Sequence, residues 1–323
     1  MDSFIDFLYN TYPYILLGVG SLGNFVSFWI FSRKRFEKNR ISLSFRVMSI
    51  LNTLFLINNF LTFSNSTFWC KMGNYFYNVL PSTSGWILVY ASLLRYATIT
   101  RAQKIPLLES VWFNLATFFG IMIACAVLCI PFSVYIMKFL ILSATVQSSS
   151  GNQSVLIDYY SCSIENKEAY FIIILFALIF GILLPFFLMI SISIALIYFV
   201  VFSRRNFANQ LTRKDAVKFK RDVKLAFSVI GLDFTYAATQ MPNIIIQVLY
   251  YNPPQIPFLI LRSLFQTYFG LDFLVYFLTN SIFRKELWLI LRLRRDFVSD
   301  TRTRLTNKNS STQHVDIQTT KEL

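Results

Sequence analysis

Charge is scarce in these 323 residues, and histidine is nearly missing: 14% are Asp, Glu, Lys or Arg, and the single histidine is His314. With one imidazole and four cysteines there is no spaced set of metal ligands and no nucleophile beside a base. Catalysis therefore has no residues to rest on, and no enzyme and no cofactor are expected. An internal repeat is also missing, which argues against a transporter or channel built from paired halves. That class stays as the alternative from outside the receptors. One motif is present in letters only. Gly18-Val19-Gly20-Ser21-Leu22-Gly23 matches a dinucleotide fingerprint, but no strand precedes it and no βαβ unit surrounds it. Close packing between helices explains it better.

What the chain has instead is apolar length. It is 55% hydrophobic with a mean hydropathy of +0.53, and it contains 35 Phe. A helix needs about 20 mostly apolar residues to cross roughly 30 Å of hydrocarbon. Seven stretches qualify, near Tyr12–Phe31, Ile41–Thr62, Gly73–Thr100, Val111–Ile136, Ala169–Phe202, Val223–Tyr250 and Gln255–Thr279. In lipid each backbone amide must bond within its own segment or within a closed barrel. Long unbroken runs without alternation favour helices. The expected fold is an all-α membrane protein, a seven-transmembrane helix bundle over residues 12–280. Residues 281–297 alternate Phe283, Leu287, Trp288 and Leu291 with Arg284, Lys285, Arg292 and Arg295. They read as an amphipathic eighth helix on the membrane surface. Residues 298–323 read as a disordered polar tail.

The net charge of +14 is placed by topology rather than by nucleic acid. Basic residues cluster in Ser32–Arg40, Arg101–Lys104, Arg204–Lys224 and Arg284–Arg304, and with seven spans all of these fall on one side. Residues 1–11 carry Asp2 and Asp6 and no Lys or Arg. The positive-inside rule then sets the N-terminus outside and the C-terminus in the cytoplasm. The first span reads as a start-transfer helix rather than a cleaved signal. Asn65 and Asn152 are glycosylation acceptors on the outer side. Asn309 fits the same pattern but falls inside, as does the C-terminal Lys-Glu-Leu. Cys125 and Cys129 lie one turn apart within the fourth span and read as small packed hydrophobes. Cys70 and Cys162 both face an oxidising compartment, so a Cys70–Cys162 bridge is expected.

Several short motifs follow in order along the spans. Asn24 follows Gly23 in the first, and Asn52 sits in the second. Cys70 and Leu94-Arg95-Tyr96 mark the two ends of the third. The sixth reads Tyr236-Ala237-Ala238-Thr239-Gln240-Met241-Pro242. The seventh reads Asp272-Phe273-Leu274-Val275-Tyr276, followed by Asn280 and Phe283-Arg284. Together these resemble the rhodopsin-like (class A) G-protein-coupled receptors over about residues 18–297. The spacing from Cys70 to Arg95 is similar to that between the family's bridge cysteine and its Asp-Arg-Tyr arginine. The sixth-span run resembles Phe-x-x-Cys-Trp-x-Pro, with Pro242 kept and Gln240 in place of Trp. The seventh-span run resembles Asn-Pro-x-x-Tyr.

The resemblance implies roles for particular residues. Asn52 and Asp272 look like an exchange of the family's Asp in span two and Asn in span seven. Asn24, Asn52 and Ser84 are then the expected partners of Asp272. Two readings stand for it: a neutral acid in a hydrogen-bonded cluster, or a carboxylate holding sodium. Leu94 replaces the acid beside Arg95, so Asp222 is the expected inactive-state partner of Arg95, with Arg221 or Lys218 as competitors for Asp222. Arg95, Tyr96, Asp222, Pro242 and Tyr276 are the residues expected in activation and G-protein coupling. Asp233 lies mid-span in six, either as a functional acid or as one paired to a neighbouring helix, and no partner is assigned to it. Arg46 reads as snorkelling to headgroups.

The implied ligand pocket comprises Asn74, Tyr77, Asn78 and Pro81 of span three. Span six adds Gln240, Asn243 and Gln247, and span seven adds Arg262 and Gln266. Tyr77 stands where amine receptors have Asp, and Gln266 stands where photoreceptors have the retinal lysine. An amine or retinal ligand is therefore disfavoured. Arg262 suits a carboxylate or other anion, unless it pairs with Glu165, Glu168 or Asp158 of the outer loop. The implied function is binding of an extracellular neuropeptide or small acid at the plasma membrane, with activation of a heterotrimeric G protein. A chemosensory receptor fits the same features. Thr301, Thr303, Thr306, Ser310, Ser311 and Thr312 are candidates for a receptor kinase and arrestin. Leu94 and Gln240 also leave open a binding receptor that does not couple.

Overall fold

In a computed structural model, the described residues are 2–37, 41–61, 67–99, 110–131, 137–147, 154–164, 172, 175–176, 178–207, 213–249 and 255–292. Long helices dominate them: α1 (Tyr12–Phe31), α2 (Ile41–Leu61), α3 (Thr67–Ile99), α4 (Val111–Pro131), α5 (Leu184–Phe207), α6 (Arg213–Leu249) and α7 (Gln255–Thr279). A short helix Asp2–Asp6 and a π-helical turn Phe7–Thr11 lead into α1, and a second π turn, Ile179–Leu183, leads into α5. Helices α1 and α7 have the same bounds as the corresponding sequence-based spans. Helices α3, α5 and α6 differ more, with α6 starting ten residues before the expected Val223. The extra turns of α6 are basic and polar, so they need no lipid and follow helix propensity alone.

Five described stretches are long and apolar enough to cross a membrane: Tyr12–Phe31, Ile41–Leu61, Val111–Pro131, Ile179–Phe199 and Ile256–Thr279. Helices α3 and α6 fall short on composition because they carry more polar side chains. The chain is thus a helical, multi-pass membrane-type protein. One departure from an all-α fold is an antiparallel hairpin of β1 (Met137–Gln147) and β2 (Ser154–Ile164). Its register sets Phe139 opposite Cys162, and β1 lies alongside α3. The long outer loop expected near Lys138–Glu168 holds this hairpin, which corrects the all-α expectation. The segment is rich in β-branched and aromatic residues, and pairing its backbone groups satisfies them outside a helix.

The two compact units are residues 1–279 and 280–323. Within the first, α3 touches α2, α4, α5 and α6, while α7 closes against α1, α2 and α6. Polarity is inverted relative to a water-soluble core. Val19, Leu22, Phe25 and Trp112 face outward, Trp112 at 81% exposure, while Asn24, Ser27, Asn52, Ser84, Arg95 and Asp272 are buried. Such an exterior suits lipid, and polar side chains on membrane helices turn inward because hydrocarbon offers them no partner.

Small residues allow the closest approaches. A Cβ on Gly20 would lie 2.9 Å from the Gly270 Cα, so α1 and α7 meet almost backbone to backbone. Glycine at such crossings gains dispersion contact where hydrophobic driving force is lacking. This is the role of Gly20 within the glycine run of α1. In the second unit, the helix at 281–292 begins under a cap: the Asn280 side-chain oxygen accepts from the backbone N–H of Ile282 (3.0 Å) and Phe283 (3.2 Å). That satisfies two of its free amides. Trp288 and Leu291 are exposed along it.

Candidate functional site

Two polar clusters and an aromatic one lie inside the first unit. The first cluster centres on Asp272, which is fully buried. Asn52 of α2 donates from Nδ2 to its Oδ2 at 2.6 Å, and Ser84 of α3 approaches Asn52 Oδ1 at 3.4 Å. Among the described residues the other oxygen, Oδ1, makes no hydrogen bond. Three helices thus meet through one amide and one carboxyl group. The expected set is corrected in one respect. Asn24 does not bond Asp272; its Nδ2 donates to the Phe269 carbonyl at 2.9 Å. Asn24 sits on α1, and the nearest acceptor across the tight α1–α7 contact is backbone.

The second cluster surrounds Asp233 of α6, and its partners were not legible in the sequence. Ser193 of α5 donates to Asp233 Oδ2 at 2.7 Å. Ser92 of α3 lies 3.5 and 3.3 Å from Oδ1 and Oδ2. Asp233 is buried, so the acid is paired to neighbouring helices. Burying a carboxyl without hydrogen-bond partners would cost several kcal/mol (roughly 2–7). Two small residues on adjacent helices offset part of that cost.

Between these clusters lie Tyr236 and Tyr268, ring centroids 5.3 Å apart and edge to face. Both rings are fully buried, and among the described residues the Tyr236 hydroxyl makes no hydrogen bond. The Tyr236 hydroxyl fits only because residue 85 is glycine, where a Cβ would lie 2.8 Å away.

Of the pocket residues expected in α3 and α7, Arg262 comes to lie against Tyr77. Its ring lies 5.6 Å from Phe265 in a stacked pair and 5.5 Å from Phe55. The Arg262 guanidinium sits 5.8 Å over the same ring, a cation–π distance. Gln240 is buried, its Nε2 donating to the Phe265 carbonyl at 3.1 Å, while its Oε1 and the Asn243 Oδ1 make no hydrogen bond among the described residues. Gln266 donates to Asn59 of α2 at 3.0 Å, another partner not expected from the sequence. Asn78 turns back to the Asn74 carbonyl at 2.8 Å. Pro81 is buried within α3, where its missing N–H removes one rung of the ladder. Pro242 does the same in α6.

At the other end, Arg95 is buried and Tyr96 partly exposed. Tyr276 packs against Phe31 and Phe45, at 4.9 Å from each. The side chains of Cys70, Cys162, Asp222 and Gln247 lie outside the described set, as do Asn65, Asn152 and the tail residues 298–323. Cys125 and Cys129 are buried free thiols. No protein-family profile matches the chain, and no curated protein matches it.

Proposed function

We propose that the chain is a seven-helix plasma-membrane receptor of the rhodopsin-like kind, which binds an extracellular ligand and activates a heterotrimeric G protein. All seven long helices span the bilayer in this reading, with the N-terminus outside and the helix at 281–292 on the inner leaflet. The observation that carries it is the Asn52–Asp272 bond. These residues stand where the family's second and seventh spans hold their paired Asp and Asn, and they meet 2.6 Å apart although the sequence separates them widely. The buried Arg95 on α3 and the cluster around Tyr77 support the two ends of the same reading.

The ligand is a peptide or small acid whose anionic group meets Arg262 and whose apolar part lies against Tyr77, Phe55 and Phe265. Ligand binding selects the arrangement in which α6 moves away from α3, and the cleft so formed admits a Gα subunit. Asp222 holds Arg95 before that step. A Cys70–Cys162 bridge and glycans at Asn65 and Asn152 belong to the outer face.

The test is co-expression of the full chain with a panel of Gα subunits, with and without a library of peptides and small acids. One subunit should show ligand-dependent nucleotide exchange, which Arg95→Ala removes at equal surface expression. Asp222→Ala should raise exchange without ligand. Antibody access to a tail epitope on intact cells would place the C-terminus outside and end the reading, whatever ligands were tried.

A further inference from the structure

Gln240 and Asn243 stand three residues apart on α6, so their side chains leave the same face of the helix about one turn apart. Gln240 is fully buried and Asn243 is 3% exposed. The Phe265 carbonyl can only accept a hydrogen bond, so the Gln240 nitrogen faces it and the amide oxygen Oε1 is left over. Among the described residues neither that oxygen nor Asn243 Oδ1 has a donor. A buried acceptor without a donor is costly, and here two occur within one turn.

Their surroundings say what would satisfy them. Phe265, whose carbonyl holds Gln240, stacks on Tyr77 at 5.6 Å. The Arg262 guanidinium lies over the same Tyr77 ring at 5.8 Å, one turn before Phe265 on α7. Tyr77 and Arg262 both keep exposed surface. From the exposed residues to the buried ones, this region offers a cation, an aromatic wall and two acceptors. Both acceptors are neutral amides, so a cation buried on them would go uncompensated, and the fitting donor is uncharged. Neither acceptor oxygen has exposed surface, so a donor reaches them only as α6 shifts against α7. Pro242 lies between the two residues, and its missing N–H lets α6 bend there.

We propose that the ligand is an aromatic acid with an uncharged N–H donor at the end away from its carboxylate. This rests on the ligand site described under the proposed function, and it adds the group that the buried end of that site selects. The carboxylate meets Arg262, the ring lies against Tyr77 and Phe265, and the N–H is shared by Gln240 Oε1 and Asn243 Oδ1. The two ends are about one to two helical turns apart, roughly 5–10 Å, which an indole acid spans. An acid without the donor leaves both acceptors unpaired in the complex, so hydrogen bonding rather than apolar area sets the choice among acids. An acid with the donor favours the shifted arrangement of α6.

The experiment measures binding of tritiated indolepropionate to the purified full-length chain in lipid nanodiscs, with naphthylpropionate as competitor. Naphthalene resembles indole in shape, lacks the N–H and is more apolar, so a merely hydrophobic pocket would prefer it. Indolepropionate should bind saturably, and naphthylpropionate about tenfold more weakly or worse. Gln240→Leu should bring the two affinities together. Asn243→Leu keeps the bond from Gln240 to Phe265 and should narrow the gap severalfold, so the test survives a Gln240 variant that does not fold. Arg262→Gln should weaken both acids alike and keep their ratio. A tripeptide ending in tryptophan, set against one ending in naphthylalanine, tells a peptide terminus from a free acid, since the host that gives the indole tighter binding names its source. Absence of saturable binding by both indole hosts overturns the proposal. Equal affinity of the indole and naphthyl acids in the parent chain overturns it too, as does discrimination that survives both α6 variants. Nucleotide exchange is not part of the readout, so these outcomes stand apart from whether the chain couples to a G protein.

Discussion

Replacing Asn52 and Asp272 by alanine, singly and together, isolates the bond that joins α2 to α7 inside the bundle. The donor–acceptor distance is 2.6 Å and both residues are fully buried. A hydrogen bond to a charged group contributes about 1.5–3 kcal/mol in water-soluble proteins. Pairs within membrane helices average lower, about 0.6 and at most about 1.7 kcal/mol, because unfolded helices in lipid also find partners. The short distance and complete burial put this pair near the upper membrane value, about 1.5 kcal/mol. Ser84 adds little, since 3.4 Å is long for a hydroxyl bond. The cavity left by each truncation appears in both arms of the cycle and largely cancels. For a chain of this size about 1.5 kcal/mol corresponds to roughly 2 °C in midpoint. The buried thiols Cys125 and Cys129 supply the assay: a thiol-reactive dye reports their exposure as the full-length chain is heated in detergent. The double variant should melt roughly 2 °C higher than the sum of the single losses predicts. Strict additivity would refute the reasoning, because it would mean that the two side chains act independently.

Other outcomes follow from packing. Gly85→Ala sets a Cβ 2.8 Å from the Tyr236 hydroxyl and should cost about 1–3 kcal/mol, with Tyr236→Phe in the same chain recovering much of it. A loss that Tyr236→Phe fails to relieve argues against that contact. Gly20→Ala should destabilise by a similar amount, since the new methyl meets the Gly270 backbone, whereas Gly18→Ala has nothing within 4 Å and should be neutral in the same melting assay. Comparable melting of these two would remove the close α1–α7 crossing. Replacing Arg262 by Lys keeps the charge but loses the planar fork over Tyr77, and should weaken binding of an acidic ligand once one is found. Undiminished affinity would point the anion elsewhere.

Where helices begin and end was largely legible, because hydrocarbon imposes a length and a polarity that side chains display directly. Tyr12–Phe31 and Gln255–Thr279 were readable to the residue. Beyond the spans, the short basic stretch Ser203–Lys224 was expected to extend spans five and six as helix, and α6 does begin at Arg213, although Arg213–Asp222 is too polar to count as span. The β1–β2 hairpin was missed although Ser148-Ser149-Ser150-Gly151-Asn152 separates two β-prone runs with a turn signal, because the whole segment was read as a long loop. Within the site, Asn52 was one of the partners that the receptor resemblance implied for Asp272, and the two do meet. Asn24 was misassigned by the same logic: the backbone carbonyl of Phe269 competes as an acceptor, and no side-chain pattern advertises it.

The sequence alone determined that this chain belongs in a bilayer, which segments are helical, and which rare polar residues must turn inward. Those follow from transfer free energies that each residue carries wherever it sits. Only the packed helices decided that Asp233 answers to Ser92 and Ser193 rather than to an arginine, and that Gly85 makes room for Tyr236. They also decided that Gln266 reaches Asn59. Serine, asparagine and glycine are common along every span, and nothing local distinguishes the ones that meet. Rotation and crossing angle of whole helices choose among them, and these are set by the sum of many weak contacts across the bundle.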